Sequence, residues 1–151
     1  MEEKAEQARR LFLSGANCAQ AVLGAFHEEC RLDRETALRL ASGFGGGISR
    51  LREMCGALSG MILAENLIHG YSDLTDKAVK DAHYKRIRAL VEEFRRETGA
   101  ILCRELLGLA PGQSDEPVSE ARTGEYYRKR PCAEIVALAA GILDRFEKKN
   151  S

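Results

Sequence analysis

Residues 48–70 read Ile48-Ser-Arg-Leu-Arg-Glu-Met-Cys55-Gly-Ala-Leu-Ser-Gly60-Met-Ile-Leu-Ala-Glu65-Asn-Leu-Ile-His-Gly70, the most apolar stretch of the chain. Met54, Leu58, Met61, Ile62, Leu63, Leu67 and Ile68 make it a buried helix that Gly70 ends. A buried helix must be covered by amphipathic neighbours. The flanking sequence supplies them on both sides.

Downstream, Ser72 or Asp73 opens a long charged helix to about Thr98, with Ala78, Val79, Ala82, Ile87, Leu90, Val91 and Phe94 as its apolar face and Gly99 as its stop. A short helix follows at Cys103–Leu107. The segment Ala110–Arg130 has Pro111, Gly112, Pro117 and Gly124 but no sustained period, so it reads as an irregular connection of the kind that is functional or disordered. Pro131 at a first helical position then starts the last helix, with Ile135, Val136, Leu138, Ala139, Ile142, Leu143 and Phe146. Upstream, Glu3–Leu13 places Ala5, Ala8, Leu11 and Phe12 on one stripe, and Ser14-Gly15 stops it. Asn17 caps a second helix, with Gln20 completing a capping-box pattern. Asp33 opens a third, which ends in Ser42-Gly-Phe-Gly-Gly-Gly47, a mobile or tightly turned loop. With no alternating strand, internal repeat or low-complexity tract, the fold class is all-α. Residues 1–151 form one single-domain helical bundle of about five to seven helices.

The 151 residues carry 23 basic and 23 acidic side chains, a formal charge of zero that disfavours an electrostatic nucleic-acid binder. A chain of this length buries roughly 70% of the surface its unfolded form exposes. Its core therefore stands without disulfides or metal, and five cysteines need another reason. Met1–Arg10 is charged and lacks the apolar centre of a secretory signal, and no apolar run approaches the roughly 20 residues of a membrane span. The expectation is a cytoplasmic protein, where cysteines serve as metal ligands or redox thiols more readily than as disulfides.

The cysteines stand at 18, 30, 55, 103 and 132 without any Cys-x-x-Cys pair, which argues against a zinc ribbon, a thioredoxin-type dithiol and a ferredoxin run. Any joint site has to be assembled by the tertiary fold. Cys18, Cys103 and Cys132 fall in the first turns of expected helices, where backbone N–H groups and the helix dipole favour thiolate over thiol. Simple packing as small hydrophobes is the competing reading. Gly56 and Gly60 share one helical face, which suits close approach of a bulky inorganic group, of another helix, or of a second chain. Gly43-Phe-Gly-Gly-Gly47 follows a helix and lacks the spacing of a dinucleotide fingerprint, although its amides could serve cluster sulfurs or an anion.

Gly15-Ala-Asn-Cys18-Ala-Gln-Ala-Val22, Phe44-Gly-Gly-Gly47, Cys55-Gly-Ala-Leu-Ser-Gly60 and then single Cys103 and Cys132 together resemble the redox-active family named C_GCAxxG_C_C for its cysteine pattern, from about residue 10 to 145. The match in the centre is to a CGAxxG core, with Met54 preceding Cys55. Carried over by position, the family cysteines are Cys18, Cys55, Cys103 and Cys132; Cys30 lies outside the pattern. The resemblance implies a redox role without a settled substrate. Four thiolates suit an iron–sulfur cluster or a tetrahedral zinc. A chain with enough apolar helix to fold unaided has less need of structural zinc, and glycines and helix N-termini offer N–H donors to sulfur, so the expectation is an iron–sulfur electron-transfer or redox-sensing protein with a redox partner protein. Structural zinc, a cluster-free thiol–disulfide protein and a helical adaptor with inert cysteines are the alternatives.

Among other residues, His27 and Cys30 are three apart, but His-Glu-Glu-Cys reads as solvated; His69 suits a helix C-terminus and His83 reads as surface. No residues nominate themselves for general acid–base catalysis. Tyr126-Tyr-Arg-Lys-Arg130 reads as a partner dock or a solvated loop, and the connection before Cys132 could cover the thiol site.

Overall fold

A computed structural model describes residues 3–109, 116–124, 126 and 131–149. Seven helices make up the described chain: α1 (Glu3–Leu13), α2 (Cys18–Ala25), α3 (Arg34–Ala41), α4 (Gly56–His69), α5 (Lys77–Thr98), α6 (Cys103–Leu106) and α7 (Cys132–Lys149). A further single turn closes at Gly45–Ile48. Among the described residues there is no strand, only one isolated antiparallel bridge between Met54 and Leu102. No helix among them is long and apolar enough to cross a membrane. The all-α expectation holds.

Helix α2 is the hub. Ala19, Ala21, Val22, Leu23, Gly24 and Ala25 are all buried, because α1, α3, α4 and α7 pack around it. Small residues make that density possible: a Cβ added at Gly60 would stand 2.7 Å from the Ala19 carbonyl oxygen and 3.0 Å from Val22 Cβ, so α2 and α4 touch backbone to backbone. The Gly56/Gly60 face is thereby covered from within the chain. The start of α2 is the capping box its sequence predicts, with Gln20 N–H donating to Asn17 Oδ1 (2.9 Å) and Asn17 N–H to Gln20 Oε1 (3.0 Å). Asn17 also donates to the Ser42 carbonyl (3.0 Å), tying this cap to the end of α3. Helix α7 lies against α1, α2, α4 and α5, and α5 covers the outer side of α4 and α7 with Leu90 and Phe94 buried.

Three differences from the sequence reading have physical reasons. The apolar stretch is helical only from Gly56, because Gly46, Gly47, Ile48, Ser49, Arg50 and Arg52 all adopt left-handed backbone (φ 66, 67, 68, 47, 73 and 63). Their hydrogen bonds, such as Arg52 N–H to Gly46 O (3.1 Å) and Glu53 N–H to Gly47 O (2.9 Å), close a tight turn where the glycine run stood. Left-handed non-glycine residues each cost roughly 1–2 kcal/mol, so tertiary contacts hold this turn. Helix α5 begins at Lys77, capped by Asp76, since Asp73 instead accepts from Thr75 N–H (3.0 Å) in a local turn. His83 is buried, not on the surface, and hydrogen-bonds Asn66 Oδ1 at 2.7 Å. In the connection of 110–130, residues 116–123 are irregular as expected, whereas 110–115, 125 and 127–130, including most of the Tyr126–Arg130 motif, lie outside the described residues.

Candidate thiolate centre

Four of the five cysteines open helices. Cys18 is the first residue of α2, Cys55 is the N-cap of α4, Cys103 begins α6 and Cys132 begins α7. These four starts converge: all four side chains line one cavity of about 310 Å³. Cys55 and Cys103 are buried, and Cys18 and Cys132 are half-buried. Cys30 stands apart, buried with its Sγ 3.6 Å from the Ala64 carbonyl oxygen. The fifth cysteine is thus a core residue, although the His-Glu-Glu-Cys segment reads as solvated, because its sulfur turns inward against α4.

Backbone pairing fixes two of the four. Cys55 N–H donates to Ile101 O (2.8 Å) and Cys103 N–H to Glu53 O (2.6 Å), so the Met54–Leu102 bridge clamps α4 and α6 start to start. Glycines bring the rest close. A Cβ at Gly47 would lie 2.6 Å from Glu53 N and 2.8 Å from Cys103 Cβ, and one at Gly56 would lie 3.1 Å from Cys18 Cβ. Gly56, Gly45 and Gly46 line the cavity, whereas Gly60 serves the α2 contact one turn away.

The thiols also meet one another. The neighbouring Cys132 thiol, together with burial, pushes the Cys18 thiol well up from its ordinary range. Burial pushes Cys55 up to about 12, with the Leu58 and Ala57 amides pulling the other way. Helix N-termini therefore do not produce free thiolates here, contrary to the simple dipole argument; desolvation is the larger effect. A thiolate at this site calls for a cation beside it.

Arginines supply part of the positive charge. Arg52, buried, points Nη1 at Cys103 Sγ (3.6 Å). Arg50 and Arg122 line the same cavity, with Glu120 as the carboxylate among the described lining residues. Arg122 also locks the covering segment: it donates to Phe12 O (2.8 Å) and Ala16 O (2.9 Å), with its guanidinium over the rings of Phe12 and Tyr126. Arg50 bonds the Val118 carbonyl and pairs with Glu120 (3.5 Å), so residues 117–122 form one wall of the thiol cavity, the covering role expected from their place before Cys132. Sequence reading missed these arginines. Arg50 and Arg52 did carry a signal, two cations inside the most apolar stretch.

The donor set fits a soft metal centre, since thiolates select zinc, copper(I) and iron–sulfur clusters. On one tetrahedral zinc the four sulfurs would stand about 3.8 Å apart, from bonds of about 2.3 Å. Among the described residues, the three-ligand group with every donor atom within 4.8 Å of the others is Glu65, His69 and Glu147, with no trio of thiols. His27 does not join the thiols: its Nδ1 meets the Leu32 carbonyl at 2.9 Å.

Comparison with known proteins agrees with the cysteine pattern. The model of the family described as "Putative redox-active protein (C_GCAxxG_C_C)" matches residues 16–146. No curated protein and no solved structure matches the chain.

Proposed function

Since the chain belongs to the C_GCAxxG_C_C redox-active family, we propose that Cys18, Cys55, Cys103 and Cys132 hold an iron–sulfur cluster as thiolates and that the protein exchanges electrons with a redox partner protein in the cytoplasm, as a carrier or a sensor. The observation that carries this reading is the convergence of four helix-opening cysteines on one cavity of about 310 Å³. A chain with enough buried helix to fold unaided has less need of structural zinc, which favours the cluster. A cluster held by four thiolates is an anion, and Arg50, Arg52 and Arg122 outnumber the carboxylate on the described cavity wall. Bound there, the cluster would supply one-electron chemistry; the chain's own contribution is to hold four thiolates, aim Arg52 at one sulfur, and limit access with residues 117–122. Anaerobic purification followed by iron and acid-labile sulfide analysis tests the reading. Brown protein with iron and sulfide in near-integral ratio is expected, and colourless protein with stoichiometric zinc would overturn it.

One contact favours a second reading. Cys18 and Cys132 line the same cavity and Cys132 is the first cause of the raised Cys18 thiol, so the two could close a disulfide, giving two electrons and two protons to a disulfide or peroxide acceptor. Metal-free protein that loses two hydrogens on oxidation and regains them with a dithiol would favour this reading over the cluster.

A further inference from the structure

A second group of ligand-bearing side chains lies where α4, α5 and α7 meet, and it shares no residue with the thiol cavity. Glu65 and His69 sit one turn apart on α4, and Glu147 comes from the last turn of α7. From Glu65, His69 and Glu147 we infer a binding site for a first-row divalent cation of the Mn²⁺, Fe²⁺ or Zn²⁺ class.

The distances are those of ligands around one ion. His69 Nδ1 lies 2.9 Å from Glu65 Oε2 and 3.5 Å from Glu147 Oε2, and the three donor atoms fall within 4.8 Å of one another. Ligands bound at about 2.0–2.2 Å to a tetrahedral or octahedral ion stand about 3–3.5 Å apart. One imidazole with two carboxylates is a set that first-row divalent ions accept.

An independent observation points to a ligand. The Glu65 side chain is fully buried, yet its Oε1 has no hydrogen-bond partner, and the buried Glu147 Oε1 has none either. Buried acceptors left without donors are costly. A cation held by both oxygens of each carboxylate would give the two Oε1 atoms a partner. Arg86 does not fill that need: its Nε forms an ion pair with Glu65 Oε2 (3.1 Å) without a hydrogen bond, and its Nη2 donates to the His69 carbonyl (3.1 Å), so it braces the two α4 ligands and leaves the Oε1 atoms. His83 in turn meets Arg86 Nη2 through Nδ1 (3.3 Å) and holds Asn66 through Nε2, which completes the polar lining from α5. One guanidinium thus faces two carboxylates, and burial beside Glu65 raises the Glu147 carboxyl to about 8. A proton shared by the two carboxyls is the competing occupant; a divalent ion would displace it. His69, 37% exposed, marks the solvent side, by which the ion would enter and where its remaining coordination positions would lie.

The test uses Mn²⁺ alone, titrated into the full-length protein and followed by loss of the aqueous manganese resonance in electron paramagnetic resonance. Manganese prefers oxygen and nitrogen over thiolate, so the cysteine site does not compete. One Mn²⁺ per chain is expected, weakened by at least about tenfold in Glu147→Gln and in His69→Ala and unchanged in Cys55→Ser. Retention of secondary structure by circular dichroism qualifies each variant, and His69→Gln replaces His69→Ala if the latter does not fold. Wild-type protein that takes up no Mn²⁺ at millimolar concentration, or uptake that Glu147→Gln leaves unchanged, overturns the site. Absence of uptake together with a protonated-carboxyl infrared band lost in Glu147→Gln would assign the group to a shared proton instead. None of these outcomes depends on whether the thiols hold a cluster.

Discussion

Arg52 directs its guanidinium Nη1 at the sulfur of Cys103 across 3.6 Å, and both side chains are buried. A donor and a positive charge at this distance stabilise the more negative, reduced state of a thiolate-held centre. Arg52→Met should therefore lower the midpoint potential of the loaded protein, by roughly 50 mV for the loss of about 1 kcal/mol of differential stabilisation in a one-electron couple. Arg52→Lys should fall between the two. Spectroelectrochemical titration reads the shift, and identical potentials in all three proteins would remove Arg52 from the account.

Gly60 and Gly56 separate packing from the site. Alanine at Gly60 drives a methyl group into the Ala19 carbonyl at 2.7 Å, with Val22 Cβ at 3.0 Å and Ala19 Cα at 3.2 Å leaving little room to yield. It should cost about 1–3 kcal/mol in urea unfolding while iron content per folded chain is kept. Alanine at Gly56 presses on Cys18 Cβ from 3.1 Å, so it should lower iron content as well as stability.

Cys30 is the internal control. It is buried away from the cavity with its sulfur on the Ala64 carbonyl, and burial holds its thiol at about 12. Cys30→Ala should cost about 1 kcal/mol, a small truncation in the core, and leave metal content and visible spectrum unchanged.

The raised Glu147 carboxyl makes stability pH-dependent in the metal-free protein. A glutamate titrates near 4.3 in the unfolded chain and at about 8 here, so between those values the folded state holds a proton that the unfolded state has lost. Its contribution to stability is full below about pH 4 and falls as pH rises through 8. Urea midpoints measured from pH 5 to 8 should decline, and Glu147→Gln should flatten the decline. An unchanged slope in the variant would show that another group is responsible.

Much of this was legible in local sequence. The capping box of Asn17 and Gln20 and the Asp33 cap rest on spacing, the separation of Cys30 from its four fellows rests on the family resemblance, and all are seen in the structure. The rest depends on contacts distant in sequence. Ile48, Ser49, Arg50 and Arg52 adopt backbone that their side chains disfavour, because the turn is fixed from outside by the 52–55 and 101–104 pairing. For the same reason Cys55 caps a helix instead of lying inside one. Burial then reverses the thiol acidity that a helix N-terminus alone suggests. Glu65 stands in an apolar helix; only the arrival of Arg86 from α5 and Glu147 from α7 shows why a carboxylate is there.

The central claim is that Cys18, Cys55, Cys103 and Cys132 act as one centre, and it is tested most directly by iron and acid-labile sulfide analysis of anaerobically purified wild type beside the five single Cys→Ser variants. The account predicts iron and sulfide in near-integral ratio in wild type and in Cys30→Ser, with loss or sharp reduction in each of the other four. Wild-type protein free of iron and sulfide, or four variants that all keep the wild-type content, would contradict it.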